Sequence, residues 1–242
     1  MVRIGTSGWT YPHWRQVLYQ GVPSGRWLER YAERFDTVEL NGSFYRWPSE
    51  ARFSAWAERV PEGFLISVKA PRGLSHGKRL ADPAVWLDRI DTATAALGPH
   101  RGPLLVQLPP DMERDDDRLD AFLTATPAHL RPVMELRHPS WVADDVFGIL
   151  AAHGAAYCVM SGAGLACELR ATAPLVYARL HGPDPHTLYA GSYSEDDLRW
   201  WRDRILEWER DGHEVLVYFD NDGEGHAVRN AVRLRELVAE GG

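Results

Sequence analysis

The feature that most constrains this chain is an eightfold alternation. Short runs rich in Val, Ile and Leu recur along its 242 residues, with longer amphipathic stretches between them. The runs lie at residues 2–5, 37–40, 64–70, 104–108, 133–136, 156–160, 176–181 and 215–220. Their length and content predict strands. Stretches at 26–34, 49–59, 83–97, 116–125, 142–153, 195–211 and 225–239 place apolar residues at helical spacing and predict helices. Between Ser161 and Pro174 the period is broken by Gly162, Gly164 and Pro174, so one helix of the alternation is expected to be missing or reduced to a short turn.

Strand–helix alternation allows a closed (β/α)8 barrel of the TIM type or an open doubly wound sheet. The open sheet usually carries a glycine-rich phosphate turn after its first strand. Here that position reads Gly5-Thr6-Ser7-Gly8-Trp9 and leads into a long aromatic loop, which favours closure. No composition shift or internal repeat divides the chain, so one domain over residues 1–242 is expected, irregular between strands six and seven. Local punctuation agrees. Asp82-Pro83 reads as an N-cap with proline at the first helical position, Ser194 with Asp197 as a capping box, and Gly212 as a left-handed helix end.

Closure makes the period-two pattern informative, because one parity of each strand faces the barrel interior and ligands gather at the C-terminal ends. With the apolar parity turned to the helices, the interior receives Glu39 and Asn41, Ser67 and Lys69, Gln107, Glu135 and Arg137, Arg179 and His181, and Tyr218 and Asp220. A barrel without a ligand fills these layers more cheaply with Val, Ile and Leu. The loops beyond add Trp9, Tyr11, Trp14, Phe44, Tyr45, Arg72, His76, His138, Trp141 and Tyr189. An aromatic rim over a polar floor suits sugars or nucleobases, and the cations suit phosphate or carboxylate. The competing reading is a fully paired structural network of Glu39, Glu135 and Asp220 with Lys69, Arg137 and Arg179.

A net charge of −7 argues against bulk electrostatic binding to nucleic acid or anionic membranes, so any anion site must be local. Cys158 and Cys167 provide neither a disulfide framework nor a zinc set. With no leader-like N-terminus and no run of membrane-spanning length, a cytoplasmic protein without a membrane partner is expected. His76, His138 and His181 with Glu39, Glu135 and Asp220 are chemically suited to a divalent metal, but no compact ligand signature favours one. The string from Asp220 to Gly225 imitates a calcium loop, yet Ala231 stands where the bidentate Glu belongs.

The motifs together carry a resemblance. They are Ile4-Gly5-Thr6-Ser7-Gly8-Trp9, Glu39-Leu40-Asn41 with Phe44-Tyr45-Arg46, Lys69-Ala70-Pro71-Arg72, Leu105-Val106-Gln107-Leu108-Pro109-Pro110, the run from Glu135 to Trp141, Arg179-Leu180-His181-Gly182, and Tyr218-Phe219-Asp220-Asn221-Asp222. In this order, across the whole chain, they resemble the YecE-like family, also called domain of unknown function 72. Asp220 stands where that family's last motif is expected to begin with Asn, and Gly42 where it has a small polar residue. The resemblance implies a TIM-type barrel similar to those of apurinic endonucleases and sugar isomerases.

The expected function is a hydrolase-like enzyme acting on a phosphorylated or phosphodiester substrate, a small molecule or nucleic acid. The expected catalytic residues are Glu135, His181, Asp220 and His76: Glu135 or Asp220 activates water, and His181 or His76 moves a proton. The expected substrate-binding residues are Trp9, Glu39, Asn41, Tyr45, Lys69, Arg72, Gln107, Arg137, His138, Trp141 and Arg179. The alternatives are a sugar or sugar-phosphate isomerase with Glu135 as base, and a non-catalytic module that binds nucleic acid or a metabolite.

Overall fold

The computed structural model describes residues 1–241. Eight parallel strands, β1 (Val2–Thr6), β2 (Thr37–Leu40), β3 (Leu65–Lys69), β4 (Arg101–Gln107), β5 (Pro132–Glu135), β6 (Ala156–Ser161), β7 (Leu175–Leu180) and β8 (Glu214–Phe219), pair in the order β1-β8-β7-β6-β5-β4-β3-β2. Helices α1 (Trp27–Ala32), α2 (Glu50–Ala57), α3 (Ala84–Ala95), α4 (Asp116–Ala125), α5 (Asp144–Ala152), α6 (Glu195–Arg210) and α7 (His226–Gly241) connect them. The fold is an α/β barrel of the TIM type. Among the described residues no helix lies between β6 and β7. Instead Thr172 pins this connection: its Oγ1 accepts from the Tyr157 amide at 2.8 Å and donates to the Ala155 carbonyl at 2.7 Å.

Of the three helix ends read from the sequence, two hold. Ser194 and Asp197 form the reciprocal capping box at α6, and Gly212 takes φ +90° after that helix. Asp82 does not cap α3. It sits at φ +49°, and Pro83 occupies the cap position without a side-chain bond, so the connection from β3 turns too sharply there for an Asp cap.

Parity inside the barrel follows the polar pattern. Arg179 lies level with Tyr218, Gln107 with Glu135, and Glu39 with Ser67. Below the charged layer, the Tyr218 hydroxyl meets Thr37 Oγ1 at 2.6 Å and Ser67 Oγ at 2.8 Å. The opposite parity packs on the helices, as where the Tyr157 ring meets Phe147 of α5 edge-on at 5.1 Å.

The barrel closes through a narrow seam. β1 meets β2 at a single bridge, Ser7 with Glu39, where the Gly8 amide donates to the Glu39 carbonyl at 2.7 Å. Further down, Tyr31 of α1 replaces the missing ladder. Its hydroxyl accepts from the Thr6 amide at 2.9 Å and donates to the Thr37 carbonyl at 3.1 Å. Gly5 permits this approach, since a Cβ there would stand 2.3 Å from the Thr37 carbonyl oxygen. Tyr31→Phe leaves a buried donor and acceptor unpaired and is expected to cost about 2–4 kcal/mol. Gly5→Ala, which forces the strands apart, is expected to unfold at lower denaturant still. Urea midpoints of the two variants against the parent check both.

Candidate functional site

At the C-terminal ends of the strands the interior side chains form two tiers. The lower tier is built on Arg179, which is fully buried. Its Nε and Nη2 bind Glu39 at 2.9 and 2.8 Å, Nη1 binds Glu135 at 2.7 Å and His181 Nε2 at 2.9 Å, and Nη2 also binds Asp220 at 2.8 Å. Every N–H of the guanidinium is engaged, so none is left for a ligand. Glu39 is satisfied as well, accepting from Ser7 Oγ and the Tyr177 hydroxyl, each at 2.6 Å.

Glu135 belongs to the same tier. Burial alone would raise its pKa, but Arg179 and Arg137 outweigh burial and hold the carboxyl well below the usual range. Arg137 donates to it at 2.6 Å and to the Tyr189 hydroxyl at 3.1 Å. A carboxylate saturated by two guanidinium groups is a poor base. His181 is pushed well below its ordinary pKa by burial and then by Arg179. Donors from Arg179 and Arg137 converge on its Nε2, which assigns the proton to Nδ1. That Nδ1 is buried and has no partner.

The upper tier is different. Lys69 is only 6 % exposed, yet among the described residues no carboxylate lies within ion-pair distance of it. Its Nζ donates to Asn41 Oδ1 at 3.1 Å and sits 4.5 Å from the centre of the Phe44 ring. Burial, reinforced by repulsion from Arg179, draws its pKa from 10.5 to about 8. Asp220 is the complement: burial lifts its carboxyl from 3.8 to about 6 against the pull of Arg179. Only Oδ2 of Asp220 is engaged by a protein donor, Arg179. Gln107, nearly buried, leaves Oε1 without a partner. A buried unpaired ammonium beside a half-free carboxylate and an orphaned amide is the arrangement expected of a ligand site.

Around this floor the other sequence candidates separate. His76 stands over Phe44 at 4.9 Å, and its pKa is lowered by burial and then by the cations Lys69, Arg72 and Arg137. Positive charge therefore collects here in an acidic protein. Arg72 is exposed at the rim. Tyr45 is 79 % exposed and points into solvent. Trp141 is fully buried and donates Nε1 to the Met112 carbonyl at 2.8 Å, so it offers no free face to a ligand. His138 caps its own turn through Ser140. Beside the floor lies an open groove of about 610 Å³, lined by Trp9, Asn41, Arg46, Trp47, Arg52 and Trp56 among others. Helical periodicity gave Trp56 to packing and gave no signal for Arg46, Trp47 or Arg52.

Among the described residues no group of three or more His, Cys, Asp or Glu side chains is placed to hold a metal ion. No helix of the described residues is long and apolar enough to cross a membrane.

The two tiers predict different responses to mutation. Glu135→Gln leaves Arg137 without its carboxylate and removes one of three from Arg179, so it is expected to cost roughly 3–5 kcal/mol. Thermal melting of the purified variant reads this.

Comparison with known proteins agrees with the geometry. A family model described as "Protein of unknown function DUF72" matches residues 3–242. UPF0759 protein YunF of Bacillus subtilis (strain 168) is 25% identical over 269 aligned positions, covering 98% of this chain and 95% of that protein. UPF0759 protein YecE of Escherichia coli (strain K12) is 30% identical over 144 residues, and that match spans 59% of this chain and about half, 51%, of YecE. The crystal structure of a DUF72 family protein from Thermotoga maritima MSB8 superposes with a TM-score of 0.89 at 25% identity, covering 99% of both chains. One from Enterococcus faecalis V583 superposes at 0.86 with 20% identity, covering 99% of this chain and 96% of that one, and shares the fold. With the family model matched from residue 3 to residue 242, this chain belongs to the DUF72 family.

Proposed function

We propose that the barrel mouth binds the phosphoryl group of a phosphorylated or phosphodiester substrate and hydrolyses it. The observation that carries this reading is Lys69, an almost buried ammonium at the end of β3 with no carboxylate partner. A buried cation without a counter-ion is costly, and an anionic ligand supplies what is missing. Arg72 and Arg137 lie close enough for their charge to reach the same face, through His76.

The division of roles follows from the tiers. Asp220, with one oxygen held by Arg179 and a pKa of about 6, orients water and takes its proton. The water oxygen attacks phosphorus, the ester P–O bond breaks, and Lys69, with a pKa of about 8, donates a proton to the departing oxygen. Glu135, Glu39 and Arg179 hold Asp220 in place and do not touch substrate. His181 stays neutral behind them. The isomerase alternative placed its base at Glu135, and the two guanidinium groups on that carboxylate give it no support.

Two expected outcomes test the reading. Hydrolysis of a chromogenic phosphodiester should follow a bell in pH. It rises as Asp220 loses its proton near 6 and falls as Lys69 loses its own near 8. A rate unchanged between pH 5 and 9 sinks the assignment. Lys69→Met keeps the volume and removes the desolvated charge. It should lower phosphate affinity at least about tenfold, measured by calorimetry, while raising stability by roughly 1–3 kcal/mol at neutral pH, measured by urea unfolding. Loss of stability with unchanged phosphate binding makes Lys69 a structural residue instead.

A further inference from the structure

The groove beside the floor is not explained by phosphate binding alone, and we propose that it is the nucleoside subsite of the same centre, so that the substrate is a nucleotide. The inference rests on the phosphate reading for Lys69 and adds what lies next to it.

Three observations support it. The first is continuity. Asn41, which accepts from Lys69 Nζ at 3.1 Å, also lines the groove, and so does Ser43, whose hydroxyl donates to the Lys69 carbonyl at 2.6 Å. The ester substituent of a phosphoryl group on Lys69 thus has this wall within its reach. The second is the surface on offer. Trp56 meets Trp9 edge-on at 5.5 Å and Phe53 edge-on at 5.6 Å, and the Arg52 guanidinium lies over the Trp56 ring, 5.5 Å from its centre. The nearly buried Trp56 ring is thereby covered by Arg52 on the side it shares with that guanidinium, which disfavours a sugar seated there. The exposed plane is a guanidinium supported by an indole, and nucleobases stack on such planes. The third is an unmet donor. Trp47 Nε1 is shielded from solvent and has no partner, although Trp47 forms part of the groove wall. A turn of the Trp47 side chain toward the groove would give it a base carbonyl or ring nitrogen as acceptor. Arg46, also exposed on the rim, keeps the groove cationic and compatible with a second phosphate.

The volume of about 610 Å³ falls within the range of small-molecule sites, so a single nucleotide fits the space.

Calorimetric titration of the intact protein tests the proposal with four ribonucleoside monophosphates, adenosine, ribose 5-phosphate and inorganic phosphate. At least one nucleotide is expected to bind about tenfold or more tightly than ribose 5-phosphate. Arg52→Leu, which removes the guanidinium plane on an exposed side chain and keeps aliphatic cover on the Trp56 ring, should reduce that nucleotide to the affinity of ribose 5-phosphate and leave inorganic phosphate as in the parent. Trp47→Phe, which removes the indole donor together with part of the ring surface and keeps an aromatic ring, should weaken the nucleotide severalfold without affecting phosphate. If every nucleotide binds no better than ribose 5-phosphate, the groove is not a base site, while phosphate binding itself stands. Should adenosine bind through Arg52 while phosphate does not bind at all, the subsite stands and the Lys69 reading falls. Binding of neither overturns both.

Discussion

One guanidinium organises this barrel. Arg179 brings together carboxylates from β2, from β5 and from the end of β8, none of which neighbours another in sequence. A charge of that kind in a sealed interior is tolerable only when all of its donors are matched, and they are. The arrangement removes Glu39 and Glu135 from the list of free groups and fixes one oxygen of Asp220. What remains chemically available is defined by what Arg179 does not satisfy: the other oxygen of Asp220, the ammonium of Lys69 and the amide oxygen of Gln107.

This division bears on a contest that the sequence leaves open. Alternating parity identifies Glu39, Lys69, Glu135, Arg179 and Asp220 as inward-facing, because period two is a local property of a strand. It does not say which of them neutralise one another, because that depends on reach across the barrel. The structural network absorbs Glu39, Glu135 and Arg179, while Lys69 and Asp220 are left as the imperfectly compensated pair. Burial of an ammonium without a counter-ion is a stability cost of the kind that binding sites carry.

The order and type of the strands were legible throughout, and so was the missing helix after β6, since glycine and proline interrupt the period there. Other features were not. Ser7 and Tyr177 complete the shell of Glu39, and only Tyr177 carried a usable signal, sharing its parity with Arg179 two residues on. Trp141 follows a site-like motif but is committed to the Met112 carbonyl, a contact from a different loop. The groove escaped notice because Arg46 and Trp47 lie on a loop and Arg52 and Trp56 on the helix after it, and neither element has a period that distinguishes a lining face from a packing face.

The narrow joint between β1 and β2 bears on how the molecule moves. The other seven interfaces of the cylinder are strand ladders, the one between β3 and β4 broken by a register shift at Ser67, whereas this one relies on a single bridge and on the hydroxyl of Tyr31. Local opening favours the place with fewest protected amides. Transient separation there parts Ser7 from Glu39, and so loosens one anchor of the central guanidinium without unfolding any other strand. The cylinder is thus a hoop with a clasp, and the clasp sits one hydrogen bond away from the charge cluster.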